Sequence, residues 1–315
     1  AGAEWFASWY RKQWVGYVFI SNLVASLATL IYLLPEFLKL QLKFDKALFS
    51  NMFGYSWPIL VANLSFIINE NLDKIVLKKL LPVEIADGEV GIYGAVCKIA
   101  IFLSILNTAF RLGAEPFFFS FAKNKNAKQT YATILHYFVI ALVVIFIGLV
   151  ANIEILKYFI SRDEAHIAEY WVGLPAVPYL LLGYVCLGIY MNLSIWYRLS
   201  DQTRYGLYIS LLGAVITIVL NLVLIPKYSY MGSAWVSMIA YFVMMVVSYV
   251  LGQKYYPIPY NLKRILLYFI SATIIVFVAF FVFDRNIYIG NALLILFLAA
   301  VYFLEKNELK RFFKR

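Results

Sequence analysis

Nine runs of apolar residues, each long enough to cross a lipid bilayer as a helix, decide what this chain can fold into. A helix needs about 20 apolar residues to cross roughly 30 Å of hydrocarbon. At that depth no water satisfies the backbone, so a helix, which bonds all its own amides, is the form such a run takes. A β-barrel would show alternating segments of about ten residues instead, and none are present. The spans read as 14–34, 52–78, 90–121, 128–150, 172–197, 205–225, 230–252, 264–283 and 287–304. Composition agrees: 63% of residues are hydrophobic and 14% charged, against roughly 25% charged in soluble domains, and the mean hydropathy is +0.80. The expected fold class is all-α, a polytopic membrane protein of about nine transmembrane helices.

The net charge of +10 is a matter of topology rather than of nucleic-acid binding. Cations concentrate in alternate connectors: Lys39, Lys43 and Lys46; Lys123, Lys125 and Lys128; Arg198 and Arg204; Lys254, Lys263 and Arg264; and the tail from Lys306 to Arg315. The other connectors hold Glu84, Asp87, Glu89, Glu154, Asp163, Glu164 and Glu169. The positive-inside rule puts the basic set and the C-terminus in the cytoplasm and residue 1 outside. Aromatic rings at span ends, among them Trp14, Tyr55, Trp57, Trp171, Trp196 and Tyr197, are expected at headgroup level. The chain starts without Met and without a basic leader and cleavage site, which leads us to expect that the N-terminal part of a longer protein precedes it. The connectors are short, leaving no room for a catalytic domain outside the membrane. In the longest external one, 151–171, Ile153–Ile160 is expected to lie at the interface. The last two spans are nearly free of polar residues and read as lipid-facing accessories. Cys97 and Cys186 fall within apolar runs and read as small buried hydrophobes, not as disulfide or zinc partners.

Charge inside the hydrocarbon is costly, about 2.5–3.5 kcal/mol per group on insertion scales, and marks a cavity or a partner. Here it gathers on two consecutive spans. The second carries Glu70, Asp73 and Lys74, and the third carries Lys98, Arg111 and Glu115. At 100° per residue, Asn63, Glu70, Asp73 and Lys74 share one stripe; Ser104, Asn107, Thr108, Arg111 and Glu115 share another. Lys98 points away from that second stripe, toward a different surface. Two readings stand. Either Glu70–Lys74 and Arg111–Glu115 neutralise each other at i,i+4, with Asp73 meeting Lys98 across helices, or the groups line a polar cavity for an anionic substrate and a coupling ion.

Weaker candidates surround these. His136, within the fourth span, is either a proton relay or a satisfied packing residue; His166 lies in an acidic external connector and reads as solvated. Pro58, Pro175 and Pro178 either kink spans two and five or mark ordinary helix starts. The basic tail either binds anionic lipid or only sets topology. No Walker A or Rossmann glycine pattern is present, so no cofactor is expected.

A series of short motifs resembles the polysaccharide-unit flippases, the O-antigen or Wzx-type branch of the multidrug/oligosaccharidyl-lipid/polysaccharide (MOP) exporter superfamily. They are Tyr55-Ser56-Trp57-Pro58, Asn71-Leu72-Asp73-Lys74, Gly91-Ile92-Tyr93-Gly94, Ala109-Phe110-Arg111 and the run Ala114-Glu115-Pro116 through Ser120. Further on come Gly188-Ile189-Tyr190 through Arg198, Asp201-Gln202-Thr203-Arg204-Tyr205-Gly206, Leu220-Asn221, Ile225-Pro226-Lys227-Tyr228 and Tyr230-Met231-Gly232-Ser233-Ala234-Trp235. The order is kept through nearly the whole chain. In one departure Ser229 stands where the family's turn has Gly, and Leu112-Gly113 occupies a variable pair.

The resemblance implies a MATE-like arrangement of two six-helix lobes followed by two further helices. Residues 1–48 would be the last N-lobe helix and an interlobe cytoplasmic loop. Residues 49–253 would be the C-lobe, and 254–315 the two accessory helices with a basic cytoplasmic tail. It also implies translocation of undecaprenyl-diphosphate-linked oligosaccharide across the bacterial inner membrane for surface polysaccharide synthesis, O-antigen of lipopolysaccharide being one such product. On that reading Arg111, Lys98 and Lys74 contact the anionic diphosphate, and Glu70, Asp73 and Glu115 couple an ion or pair with those cations. Membrane lipids and other polysaccharide-assembly proteins are the further partners expected, with no nucleic acid, no metal and no enzymatic activity. Two alternatives remain: a drug or metabolite exporter of the same superfamily, and a membrane polysaccharide polymerase or glycosyltransferase.

Overall fold

The computed structural model describes residues 16–39, 44–160 and 167–312, apart from the side chains of 65, 66, 68–70, 167, 307 and 309–312. Glu70 and His166 therefore lie outside what is described. Among the described residues there are helices and turns and no strand.

The chain divides into two compact units, Ala1–Met52 and Phe53–Arg315. The first holds α1 (Gly16–Leu38), an apolar helix with exposed side chains, and the beginning of α2 (Lys46–Leu80). Asp45 starts α2: its Oδ1 accepts from the amides of Ala47 at 2.8 Å and Leu48 at 3.1 Å. Those amides have no partner within the helix, which is why Asp is favoured at this position.

The second unit continues with α3 (Val83–Phe121), α4 (Ala127–Ala151), α5 (Val177–Leu193), the short α6 (Ile195–Leu199), α7 (Arg204–Tyr255), α8 (Leu262–Phe277) and α9 (Ile287–Phe312). Between α4 and α5 run the short turns Ile153–Leu156, Lys157–Phe159, Ile167–Trp171 and Leu174–Ala176. Among the described residues seven helices are long and apolar enough to cross a membrane. α7, with 52 residues, counts once among them although Ser229 breaks it at φ 50°, ψ −132°. α2, outside those seven, is 35 residues long, about 50 Å at 1.5 Å per residue. Each of the nine expected spans thus has its helix, spans six and seven being the two halves of α7. The protein is a multi-pass, all-α membrane protein.

α5 is the central helix, buried along most of its length against α3, α4 and α7. Lipid is as apolar as leucine, so helices in a bilayer gain little from the hydrophobic effect and associate through close packing at small residues. Gly183 shows this: a Cβ there would lie 3.1 Å from Met238 Cα, so the backbones of α5 and α7 meet directly. Pro175 and Pro178 open the turn before α5 and its first turn, the ordinary helix-start role. Pro58 sits inside α2.

Contacts also sort the connectors into two ends. At one, Ser229 Oγ donates to Glu89, Tyr230 donates to the carbonyl of Val172, and Asn152 bonds Asn291. At the other, Glu115 meets Arg198, and Thr203 donates to the carbonyl of Tyr55. This is the alternation read from the loop charges.

Two expectations need correction. Trp196 and Tyr197 are not headgroup anchors: they are 1% and 5% exposed, and Trp196 packs on Tyr205 and Tyr255 at 5.3 and 6.2 Å between ring centres. Nor are the last two spans merely lipid-facing. α8 and α9 dock on α4, burying Tyr268, Ala272, Val276 and Phe297, and Glu305 of α9 is 1% exposed among polar partners. A charged group can sit there because His136, Tyr268 and Arg264 surround it. The connector behaves as expected of an amphipathic segment: Ile153 and Ile160 are buried, while Ile155, Tyr158 and Phe159 are exposed.

Candidate functional site

The site grows from the polar stripe of α3. Asn107, buried, donates from Nδ2 to the carbonyl of Tyr184 at 2.9 Å and so fastens α3 to α5. Gly188 lies opposite; a Cβ there would stand 2.2 Å from Asn107 Oδ1. One turn on, Arg111 reaches an open cavity lined also by Asn63 of α2, Tyr190 and Ser194, Arg198 and Ser210. Among the described residues Arg111 has neither an ion-pair nor a hydrogen-bond partner.

One turn further, Glu115 forms an ion pair with Arg198. Arg198 lies on α6, which continues the fifth span from α5 with Ser194 between them at helical φ −60°, ψ −15° and its Oγ donating to the carbonyl of Met191 at 2.6 Å. The guanidinium is largely buried, and its Nε has no partner. A second, smaller cavity, lined by Phe110, Glu115 and Asn192 among others, shares Arg111 and Arg198 with the first. Two guanidinium groups, one free and one held by a carboxylate, border both spaces. Planar guanidinium forks suit phosphate and carboxylate oxygens, and a cation in such surroundings favours an anionic ligand.

The remaining charges on these helices lie elsewhere. Asp73 is buried and accepts from the hydroxyl of Tyr93; it does not meet Lys98. Tyr93 is 18 residues before Arg111, about 27 Å along α3. Lys74 is half-buried, without an ion pair among the described residues. Lys98, about 20 Å from Arg111 along the helix, donates from Nζ to the carbonyl of Ile160 at 2.7 Å and holds the connector after α4. The i,i+4 pairing of Arg111 with Glu115 does not form, because Glu115 is taken by Arg198. The described charges of the two spans thus do not form one cluster: Arg111 and Glu115 share the cavity region, and Asp73 and Lys98 serve packing contacts elsewhere.

Arg198 is the residue missed as a site member from sequence. It reads there as one more connector cation, and the only hint is its place directly after Trp196-Tyr197, rings too large to lie bare beside it. Tyr190 and Ser210, also in the cavity wall, carry no charge and leave no signal in a hydropathy reading. Among the described residues no group of three His, Cys, Asp or Glu side chains is arranged to hold a metal.

Comparison with curated proteins and with solved structures gives no match. Residues 10–121, which contain α1, α2 and α3 with Arg111 and Glu115, match the family model described as polysaccharide biosynthesis protein, the family of Wzx/MOP-type polysaccharide flippases, and over that part the chain carries the resemblance its motifs show.

Proposed function

We propose that this protein takes part in moving a lipid-linked oligosaccharide across the bacterial cytoplasmic membrane for polysaccharide biosynthesis, with the Arg111 cavity holding the anionic diphosphate. The observation that carries this reading is a guanidinium unpaired among the described residues, at a polar cavity between membrane-spanning helices and on a helix within the segment that matches a polysaccharide biosynthesis family. An unpaired cation at such a place is costly, and a ligand that brings negative charge removes the cost. Tyr190, Tyr197 and Met191 line the same space and offer aromatic and soft apolar surface to sugar rings or to the lipid. Lys98 and Lys74 lie at other levels and serve as secondary contacts only if the substrate passes them during translocation. The basic connectors and the C-terminus face the cytoplasm in this account, which puts the Arg111 cavity toward the leaflet where such intermediates are made.

The test is deletion of the gene in its source cell, complemented by the full-length gene carrying Arg111→Glu. The expected result is loss of surface glycan with build-up of the lipid-linked intermediate, while the protein inserts at normal level. Normal glycan export from that variant would end the diphosphate assignment, and loss of intermediate synthesis would point to an enzyme instead.

A further inference from the structure

A second ionisable site lies away from the Arg111 cavity, where α8 and α9 dock on α4. Glu305 of α9 is 1% exposed. Its Oε1 accepts from the hydroxyl of Tyr268 at 2.5 Å and lies 3.0 Å from His136 Nε2. Arg264 is a weaker neighbour: its Nη1 stands 3.4 Å from each Glu305 oxygen, and it makes its short contact, 2.7 Å, with Glu308. Tyr137 of α4 completes the ring of titratable groups, packed edge-on against His136 at 5.3 Å between ring centres. Among the described side chains, two carboxylates thus face one guanidinium, one imidazole and two phenols.

The imidazole is the group with capacity left. Glu305 is an acceptor toward Nε2, so in the neutral ring Nε2 carries the hydrogen and Nδ1 is a bare acceptor. Nδ1 is buried and has no partner. His136 lines an open cavity whose other walls include Gln129, Thr133, Asn261, Arg264 and Glu308. That space is polar enough to admit water, and water there can hand a proton to Nδ1. Glu308 and Arg264 are partly exposed and pair with each other at 2.7 Å, so the buried charge of the cluster is that of Glu305, and a protonated His136 3.0 Å away offsets it.

We propose that His136 and Glu305 form a proton-binding site at the junction of α4, α8 and α9. The step is transfer of one proton from hydronium, reaching the cavity through its water from bulk solvent, to Nδ1, which leaves water and gives an imidazolium whose Nε2–H donates to Glu305. The accessory helices then contribute an ionisable group of their own to the protein. The site stands whether or not the Arg111 cavity binds a diphosphate.

The chain has two histidines, His136 and His166, so the variant His166→Asn labelled with 15N-histidine has one imidazole to observe. Spectra of the protein in lipid nanodiscs are recorded from about pH 5 to pH 9. The expected result is an Nε2–H neutral ring at high pH that becomes imidazolium as pH falls. With Glu305→Gln, which keeps the shape and removes the charge, proton binding weakens about tenfold or more. A ring that never titrates in this range, a neutral ring carrying its hydrogen on Nδ1, or a titration unchanged by Glu305→Gln would each overturn the proposal. Should Glu305→Gln fail to fold, Tyr268→Phe provides the second test. It removes the competing donor to Oε1 and is expected to strengthen proton binding at His136; no change would count against the site.

Discussion

Arg198 of α6 and Glu115 of α3 are joined by an ion pair that spans 83 positions of sequence, and Arg111, one turn from Glu115, has no partner among the described residues at the cavity they border. Glu115 therefore does two things: it ties the end of the fifth span to α3, and it keeps one of two cations occupied. Removing either partner of a pair this sheltered is expected to cost about 1–2 kcal/mol of unfolding free energy, between the values for surface and buried pairs. In a double-mutant cycle of Glu115→Gln and Arg198→Gln, read by denaturant unfolding in micelles, the double variant should lose about 1 kcal/mol less than the sum. Strictly additive losses would show that the pair contributes nothing as a pair.

Arg111 is expected to behave in the opposite way. Among the described residues it pairs with nothing, so Arg111→Gln should unfold within about 0.5 kcal/mol of the wild type while glycan export collapses. Unfolding curves and surface-glycan staining on the same variant separate the two effects. A large loss of stability would mean that Arg111 has a structural partner after all.

At the break in α7, Ser229 adopts φ 50° and ψ −132°, a conformation that glycine takes freely and other residues do not. Its hydroxyl meanwhile donates to Glu89. Ser229→Ala loses the bond and keeps the strain, whereas Ser229→Gly loses the bond and relieves the strain. Ser229→Gly should therefore be more stable than Ser229→Ala by about 1 kcal/mol, as thermal unfolding of the two variants will show. Equal stabilities would place no strain at this turn.

Gly188 is a packing requirement of the α3–α5 contact. A methyl group there would strike Asn107 Oδ1, and overpacking of this kind costs about 1–3 kcal/mol. Gly188→Ala should be destabilised by that amount, and Asn107→Ala should recover part of the loss when combined with it. Two costs that simply add would mean that the clash is absorbed elsewhere.

Much of this fold is legible in the sequence because the signal is coarse. Length and hydropathy place each helix, and connector cations alternate as the end-to-end contacts do. The break at Ser229 falls between spans six and seven. The site was legible only in part. Arg111 and Glu115 stand out as charges in apolar helices, but their partners depend on tertiary approach that no spacing rule encodes. Glu115 is equally well placed in sequence for Arg111 at i,i+4 and for Arg198 far along the chain, and the packing of α3 against the end of the fifth span decides between them. Glu305 was hidden for a related reason: near the end of an apolar span it reads as part of a solvated tail, and only the docking of α8 and α9 on α4 buries it.

The central claim is that the Arg111 cavity recognises a diphosphate. Binding of a polyprenyl diphosphate in mixed micelles to the purified protein tests it most directly, with Arg111→Gln and Lys98→Gln compared side by side. The account predicts saturable binding that weakens about tenfold or more in Arg111→Gln and stays within about twofold of the wild type in Lys98→Gln, whose amine holds the carbonyl of Ile160. Wild-type affinity in Arg111→Gln would contradict it.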